Sequence, residues 1–257
     1  MIIEFFGPPG SGKTTFSLTL ADRLRGRGYP ASLRLSARPG EEVLATGVHG
    51  EEEPSGSFRT AARRLIFPAY ELIAKAGGWS NHASPNGRVA SMLSKALPQG
   101  QILRSLRMRQ YLYRLSSVWA QAGRSQDIWI FDQAYIQAVA SIALVQPGMK
   151  DESIVALLQA APQADIAFRV EAPLDELETR IGRRHRSIGG FGRLLEETSV
   201  GVQEHAALAH RIEGLLRRLD RQVLALNSVD DETFEENIGI AERATLNAFA
   251  GPTRQIM

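Results

Sequence analysis

Residues 7 to 15 of this 257-residue chain read Gly7-Pro8-Pro9-Gly10-Ser11-Gly12-Lys13-Thr14-Thr15, directly behind the apolar run Met1-Ile2-Ile3-Glu4-Phe5-Phe6. The run has the length of one short buried strand. A helical pattern follows Gly12, so the GxxxxGK[ST] spacing stands between strand and helix, the setting in which it forms a phosphate-binding loop. Glycines at 7, 10 and 12 allow backbone conformations that a side chain forbids and bring successive N–H groups toward one anion. The helix N-terminus beyond the loop adds unpaired donors and the positive end of a macrodipole. Lys13 supplies a point charge for β- and γ-phosphates, and the Thr14 hydroxyl is placed to ligate magnesium. Gly7, Pro8, Pro9, Gly10, Ser11, Gly12, Lys13, Thr14 and Thr15 are therefore the expected nucleotide-binding residues, with ATP and Mg2+ as the expected cofactors.

Apolar runs alternate with helical patterns along the rest of the chain, which predicts an α/β protein built on a parallel sheet. A first helix is expected from Lys13 to Arg27, with Phe16, Leu20 and Leu24 on one stripe and Gly28 as its stop. Strands are expected at Ala31 to Ser36, Asp127 to Phe131, Ala164 to Val170 and Gln222 to Leu226. Helical patterns occupy Phe58 to Ala76, Arg88 to Leu97 and Gln101 to Ala122. The acidic, glycine-bearing segment from Gly47 to Ser57 reads as a mobile loop, and Gly77 to Gly87 is rich in turn residues.

Composition narrows the class. A hydrophobic content of 44% supplies a sizeable core. Thirty Lys and Arg nearly cancel 28 Asp and Glu, so overall charge offers no case for nucleic-acid binding. The absence of cysteine rules out a disulfide, a thiol nucleophile and a thiolate zinc site. The apolar start is short and lacks a basic lead, unlike a signal peptide, and no stretch approaches membrane-spanning length. A cytoplasmic location is the expectation.

A second landmark is Asp127-Ile128-Trp129-Ile130-Phe131-Asp132-Gln133. Four apolar residues running into an aspartate describe a buried strand that delivers a carboxylate at its C-terminal end, where open α/β sheets place ligands. Asp132 can there hold magnesium or accept a proton from an attacking hydroxyl. Alternatively it caps a helix starting near Ala134. A third landmark is basic: Arg180, Arg183, Arg184, His185 and Arg186, with Arg193 beyond Gly189-Gly190-Phe191-Gly192. Arginine forks match phosphate oxygens, and flanking glycines suit a segment that closes over a nucleotide. Arg180 and Arg184 share a helix face, while Arg183 and Arg186 point elsewhere. A solvated basic helix end is the alternative.

With these residues in view the chain resembles the P-loop small-molecule kinases of the nucleoside-monophosphate kinase superfamily, and most closely their thymidylate kinase-like branch. The resemblance rests on Phe6-Gly7 through Thr15, Arg38-Pro39-Gly40, Phe131-Asp132-Gln133, and Val170-Glu171-Ala172-Pro173-Leu174-Asp175-Glu176-Leu177-Glu178-Thr179-Arg180. It implies a three-layer, doubly wound parallel sheet forming one domain over 1–257, a helical acceptor region at about 41–124 and an arginine-rich lid at about 180–195. It also implies catalytic roles for Lys13, Asp132, Arg180 and Arg184, metal binding by Thr14 and Asp132, and acceptor contacts from Arg38 and one of Arg107 or Arg109, with Gln133 at the position beside Asp132 that would face the acceptor.

Two departures bear on the acceptor. Thymidylate kinases carry an acidic residue where this chain has Pro9, and an arginine where it has Gln133. The long stretch between strands two and three implies a remodelled acceptor pocket, a homodimer surface, or both. Other candidates are weaker. His49, His82, His185, His205 and His210 show no ligand spacing. Trp119 and Trp129 sit in apolar patterns and read as core. Asn227-Ser228-Val229-Asp230 lacks the lysine of a guanine-reading loop and reads as the edge of an adenine pocket. The expected chemistry is phosphoryl transfer to a small molecule, a nucleoside, nucleotide, sugar or related metabolite. The competing expectation is a non-kinase P-loop NTPase that acts as a regulatory switch or drives a partner.

Overall fold

The computed structural model describes residues 1–36, 85–97, 102–146, 148–187 and 201–251. The chain divides into two compact units, one formed by Met1–Arg34 with Gln121–Met257 and the other by Leu35–Ala120. Several expectations fall outside the described residues: the loop over Gly47–Ser57, the helix over Phe58–Ala76, most of the turn-rich Gly77–Gly87, Arg38, and the lid beyond Ser187.

The first unit is a five-stranded, all-parallel sheet. Its strands are β1 (Ile2–Phe6), β2 (Ala31–Arg34), β3 (Ile128–Phe131), β4 (Ile166–Glu171) and β5 (Val223–Asn227), in the order β2-β3-β1-β4-β5. Every residue of β1 and β3 is buried, as strands covered on both faces require. The register pairs Glu4 with Phe131 on one side of β1 and Phe5 with Phe168 on the other, where the two rings lie 5.1 Å apart.

From β1 the chain moves two places toward one edge, through α1 (Lys13–Gly26), to reach β2. From β3 it moves two places the other way, through α4 (Tyr135–Leu144) and α5 (Asp151–Ala160), to reach β4. Parallel crossovers are right-handed, so opposite directions of travel put these helices on opposite faces. The packing agrees: α1 meets the last helix, α8 (Asp231–Ala250), whereas α4 and α5 meet α7 (Val202–Arg218). The result is a three-layer, doubly wound α/β fold. The topological switch falls between the neighbouring strands β1 and β3, which is where such sheets open a crevice.

Helix α1 buries the expected stripe of Phe16, Leu20 and Leu24, and Phe16 meets Phe234 of α8 in a tilted ring contact, centroids 4.5 Å apart. Ion pairs add to this seam: Arg23 meets Glu235 and Glu242, and Arg27 Nε lies 2.5 Å from Glu242, whose carboxylate is nearly fully buried. The helix stops at Gly28, which adopts φ 84°, a left-handed conformation suited to glycine.

In the second unit, α2 (Pro85–Lys95) and α3 (Ile102–Ala122, which runs on into the first unit) are the described helices. Ala90 and Leu93 on α2, and Leu112, Leu115 and Trp119 on α3, are buried at helical spacing. Helix α2 begins three residues before the expected Arg88, on Pro85, whose fixed φ suits a first turn. Both tryptophans expected in the core are there, Trp119 and Trp129. No described helix is long and apolar enough to cross a membrane.

Candidate phosphate site at the switch point

The loop after β1 passes through Gly7, Gly10 and Gly12 at φ 145°, 81° and 92°, all in the half of conformational space that side chains avoid. Gly7 is the tightest of the three, because a Cβ there would lie 2.2 Å from the Val170 carbonyl oxygen of β4. The loop then delivers α1 with Gly12 as its N-cap, no side-chain cap and no acidic residue in the first turn. Helix α8 differs: Asp230 accepts from Thr233 N at 2.8 Å while Thr233 Oγ1 accepts from Asp230 N at 3.0 Å. Helix α8 thus satisfies its own terminus, whereas the positive end of α1 has no such side-chain partner among the described residues. That is the local chemistry of an anion site.

Lys13 is buried, and its Nζ donates to the carbonyls of Gly7 at 2.9 Å and Pro8 at 2.7 Å. Burial pulls the ammonium down to about 8, against the opposing pull of the Asp132 carboxylate. Asp132 is itself buried at the end of β3. The Thr14 hydroxyl donates to its Oδ2 at 3.1 Å. The sequence left open whether Asp132 caps the next helix. In the structure α4 takes Ala134 as N-cap, without a side-chain cap. Thr14 and Asp132 are hard oxygen donors already at hydrogen-bond separation, which suits magnesium held directly or through water. The buried Ser11 hydroxyl has no hydrogen-bond partner among the described residues.

Arg180 lies on α6 (Leu174–Ser187) and bridges two loops. Its Nη1 donates to Ser228 Oγ at 2.8 Å and approaches the Gly10 carbonyl at 3.4 Å, while Nη2 donates to the Ser228 carbonyl at 3.0 Å. Glu176, one turn earlier, sits 3.4 Å from its Nε. The loop after β5 is thereby drawn to the phosphate loop, and Asp230 in it is committed to capping. Arg183 is exposed. Arg184 is carried by α6 and Arg107 by α3, but both side chains lie outside the described residues, as does Arg38 altogether. Arg109 is an exposed position of α3, and Gln133 is half-buried beside Asp132.

Beside Pro8 a cavity of about 340 Å³ opens between the end of β4 and α7, with Glu171, Pro173, Ala207 and His210 among its walls. Three of its polar residues already engage one another: Arg169 bridges Glu171 and Glu213 at 2.5 Å each, and His210 Nε2 lies 3.3 Å from Glu171. Among the described residues no group of three His, Asp or Glu converges as a metal site of its own.

Two residues of the site went unread in the sequence. Gly7 N donates to Gln137 Oε1 of α4 at 3.1 Å. Glu4, buried in β1, accepts from the backbone N–H groups of Ile136 at 2.6 Å and Gln137 at 3.2 Å. The available signal was a lone charge inside an otherwise apolar strand.

No family model matches the chain, and no curated protein does. Solved structures resemble it, among them three of a deoxyadenosine kinase from M. mycoides. The one with bound dCTP shares 16% identity over 95% of this chain and 100% of that chain, with a TM-score of 0.45. The one with products dCMP and a flexible dCDP bound shares 16% over 96% and 100%, with a TM-score of 0.47. The one with bound dATP shares 16% over 96% and 99%, with a TM-score of 0.46. These three are structures of a nucleoside kinase rather than a thymidylate kinase, and a likeness this distant says nothing of substrate.

Proposed function

We propose that this chain is a magnesium- and ATP-dependent phosphotransferase that moves the γ-phosphate to a small-molecule acceptor, a nucleoside, nucleotide, sugar or related hydroxyl-bearing metabolite. The observation that carries the reading is the 3.1 Å contact between Thr14 of the phosphate loop and Asp132 at the end of the neighbouring strand. It joins a phosphate-binding element to a buried carboxylate at one point of the crevice. Phosphoryl transfer needs that pairing, because most of the catalysis is positioning and charge stabilisation.

In this reading the loop N–H groups and Lys13 hold the donor phosphates, with Lys13 exchanging its two carbonyl acceptors for phosphate oxygens. Thr14 and Asp132 would hold magnesium, which when bound neutralises phosphate charge. Asp132 also takes the proton of an acceptor hydroxyl as that oxygen bonds to the γ-phosphorus. The bond from phosphorus to the bridging oxygen breaks, and ADP leaves. A phosphate acceptor needs no base, and Asp132 then serves the metal alone. Arg180 braces the loop, Arg184 is assigned to the transferring group, and Arg38, Arg107, Arg109 and Gln133 are assigned to the acceptor.

A coupled ADP-release screen over nucleosides, nucleoside monophosphates and phosphorylatable sugars tests this. Acceptor-dependent ADP release with a phosphorylated product is the expected result. Pro9 and Gln133, standing where thymidylate kinases carry an acidic residue and an arginine, make thymidine monophosphate a poor acceptor in this reading, and its efficient use at micromolar concentration would overturn that. ADP release indifferent to every acceptor would instead favour an NTPase switch.

A further inference from the structure

We infer that Glu4 and Gln137 are positioning residues of the phosphate loop: Glu4 seats the first turn of α4, and Gln137 in that turn holds the first amide of the loop. The inference rests on the reading of that loop as a triphosphate site.

The start of α4 has a need that its own sequence cannot meet. Ala134 is its N-cap and has no side-chain acceptor, so the first N–H groups of the helix require a partner from elsewhere. Glu4 supplies it from the adjacent strand, taking both Ile136 N and Gln137 N on one oxygen, Oε1. A single acceptor oxygen serves whether the carboxyl is ionised or neutral, so the contact depends on the shape of the group more than on its charge.

Gln137 then closes a circuit back to β1. Its Oε1 accepts from Gly7 N, three residues beyond Glu4. Gly7 also lies against the Val170 carbonyl of β4, close enough that a Cβ there would fall 2.2 Å from its oxygen. The Gly7 and Pro8 carbonyls that Gln137 helps to orient are those that receive the Lys13 ammonium. Asp132 stands three residues before Tyr135, the first residue of the same α4 turn. A shift of that turn therefore moves the loop carbonyls and the catalytic carboxylate together, and both nucleotide affinity and turnover follow.

The test uses the full chain, with MgATP affinity measured by calorimetry, KM and kcat measured separately with the acceptor found in the screen, and thermal unfolding recorded alongside. Gln137→Leu keeps the volume and removes the acceptor. We expect it to weaken MgATP binding by about 5-fold or more, roughly the loss of one hydrogen bond, with kcat falling as well. Glu4→Leu should do the same, and Glu4→Gln should restore most of what Glu4→Leu loses. The double variant Glu4→Leu with Gln137→Leu should cost no more binding than the worse single change, because the two act in series. If Glu4→Leu fails to fold, Gln137→Leu at its half-buried position carries the test.

Lys13→Ala separates the two levels of the argument. Loss of binding in Lys13→Ala, with wild-type binding and turnover in Gln137→Leu, overturns the positioning role and leaves the triphosphate reading standing. Unchanged binding in Lys13→Ala overturns the triphosphate reading, and the positioning inference with it.

Discussion

Thr14 and Asp132 are 118 residues apart in the chain, yet the hydroxyl of one donates to the carboxylate of the other at 3.1 Å. The contact exists because β3 lies beside β1 in the sheet, with Ile3 paired with Ile130, and β3 ends at Phe131 opposite Glu4, two residues before β1 does. The loop after one strand and the aspartate after the other then face a common crevice.

Asp132→Asn retains the shape while removing the negative charge and the basicity. Turnover per folded molecule should fall by about 10²-fold or more, through loss of base or metal support. The melting temperature should change little, since the Thr14 hydroxyl still finds an amide oxygen. A collapse in stability with an undiminished rate per folded molecule would make Asp132 a structural residue.

Lys13→Ala should leave a folded protein whose affinity for MgATP is severely reduced and whose transfer is nearly abolished. The ammonium contributes charge to the loop, where it donates to the Gly7 and Pro8 carbonyls. Relieving its burial should even raise thermal stability slightly in the absence of nucleotide. Calorimetric titration and thermal unfolding on the same preparation check both halves.

Gly7→Ala is expected to be the most damaging single methyl in the loop. Its Cβ would sit 2.2 Å from a backbone oxygen of β4, and its φ of 145° is one that alanine rarely adopts. Backbone cannot swing aside as a side-chain tip can, so the cost should be several kcal/mol, at the upper end for point substitutions. Chemical denaturation of Gly7→Ala beside Gly12→Ala, which shares a positive φ of 92° but meets only the Ser228 side chain, at 3.4 Å, measures the contrast.

Burial raises Glu4 to about 8 from an ordinary carboxylate value of 4.5, against the hydrogen bonds from α4 and the charge of Arg221. Between those values the folded chain keeps a proton that the unfolded chain has released. Stability should therefore fall as pH rises from about 4.5 to 8, by up to about 1.4 kcal/mol per pH unit. Burial, and after it the Glu4 charge, pushes the neighbouring Tyr135 phenol up as well. Glu4→Gln cannot titrate, so the melting-temperature difference between wild type and Glu4→Gln should fall across this window. A flat difference would place the Glu4 carboxyl near its ordinary value.

Much of the site is written in neighbouring residues. Gly7 through Thr15 spell a loop because glycine spacing governs local backbone geometry, and the three positive φ values fall on its three glycines. The end of α1 at Gly28 and the burial of Phe16, Leu20 and Leu24 follow from equally local rules. Strand edges moved by one or two residues, as at Ile166–Glu171 against the expected Ala164 to Val170, because strand ends depend on what lies alongside.

By itself, then, the sequence determined the class of fold, the glycine-turned loop between β1 and α1 and the strand-end carboxylate. Each of these is set by backbone conformation and hydrophobic period over a few consecutive residues. Only the tertiary structure decided that β3 and β4 flank β1, that Glu4 meets α4, that Gln137 holds Gly7, and that Arg180 reaches Ser228. The side-chain contacts among these join residues 48 to 133 apart. A carboxylate in an apolar strand announces that it needs donors, but which helix brings them is settled when the sheet order and the direction of each crossover are chosen.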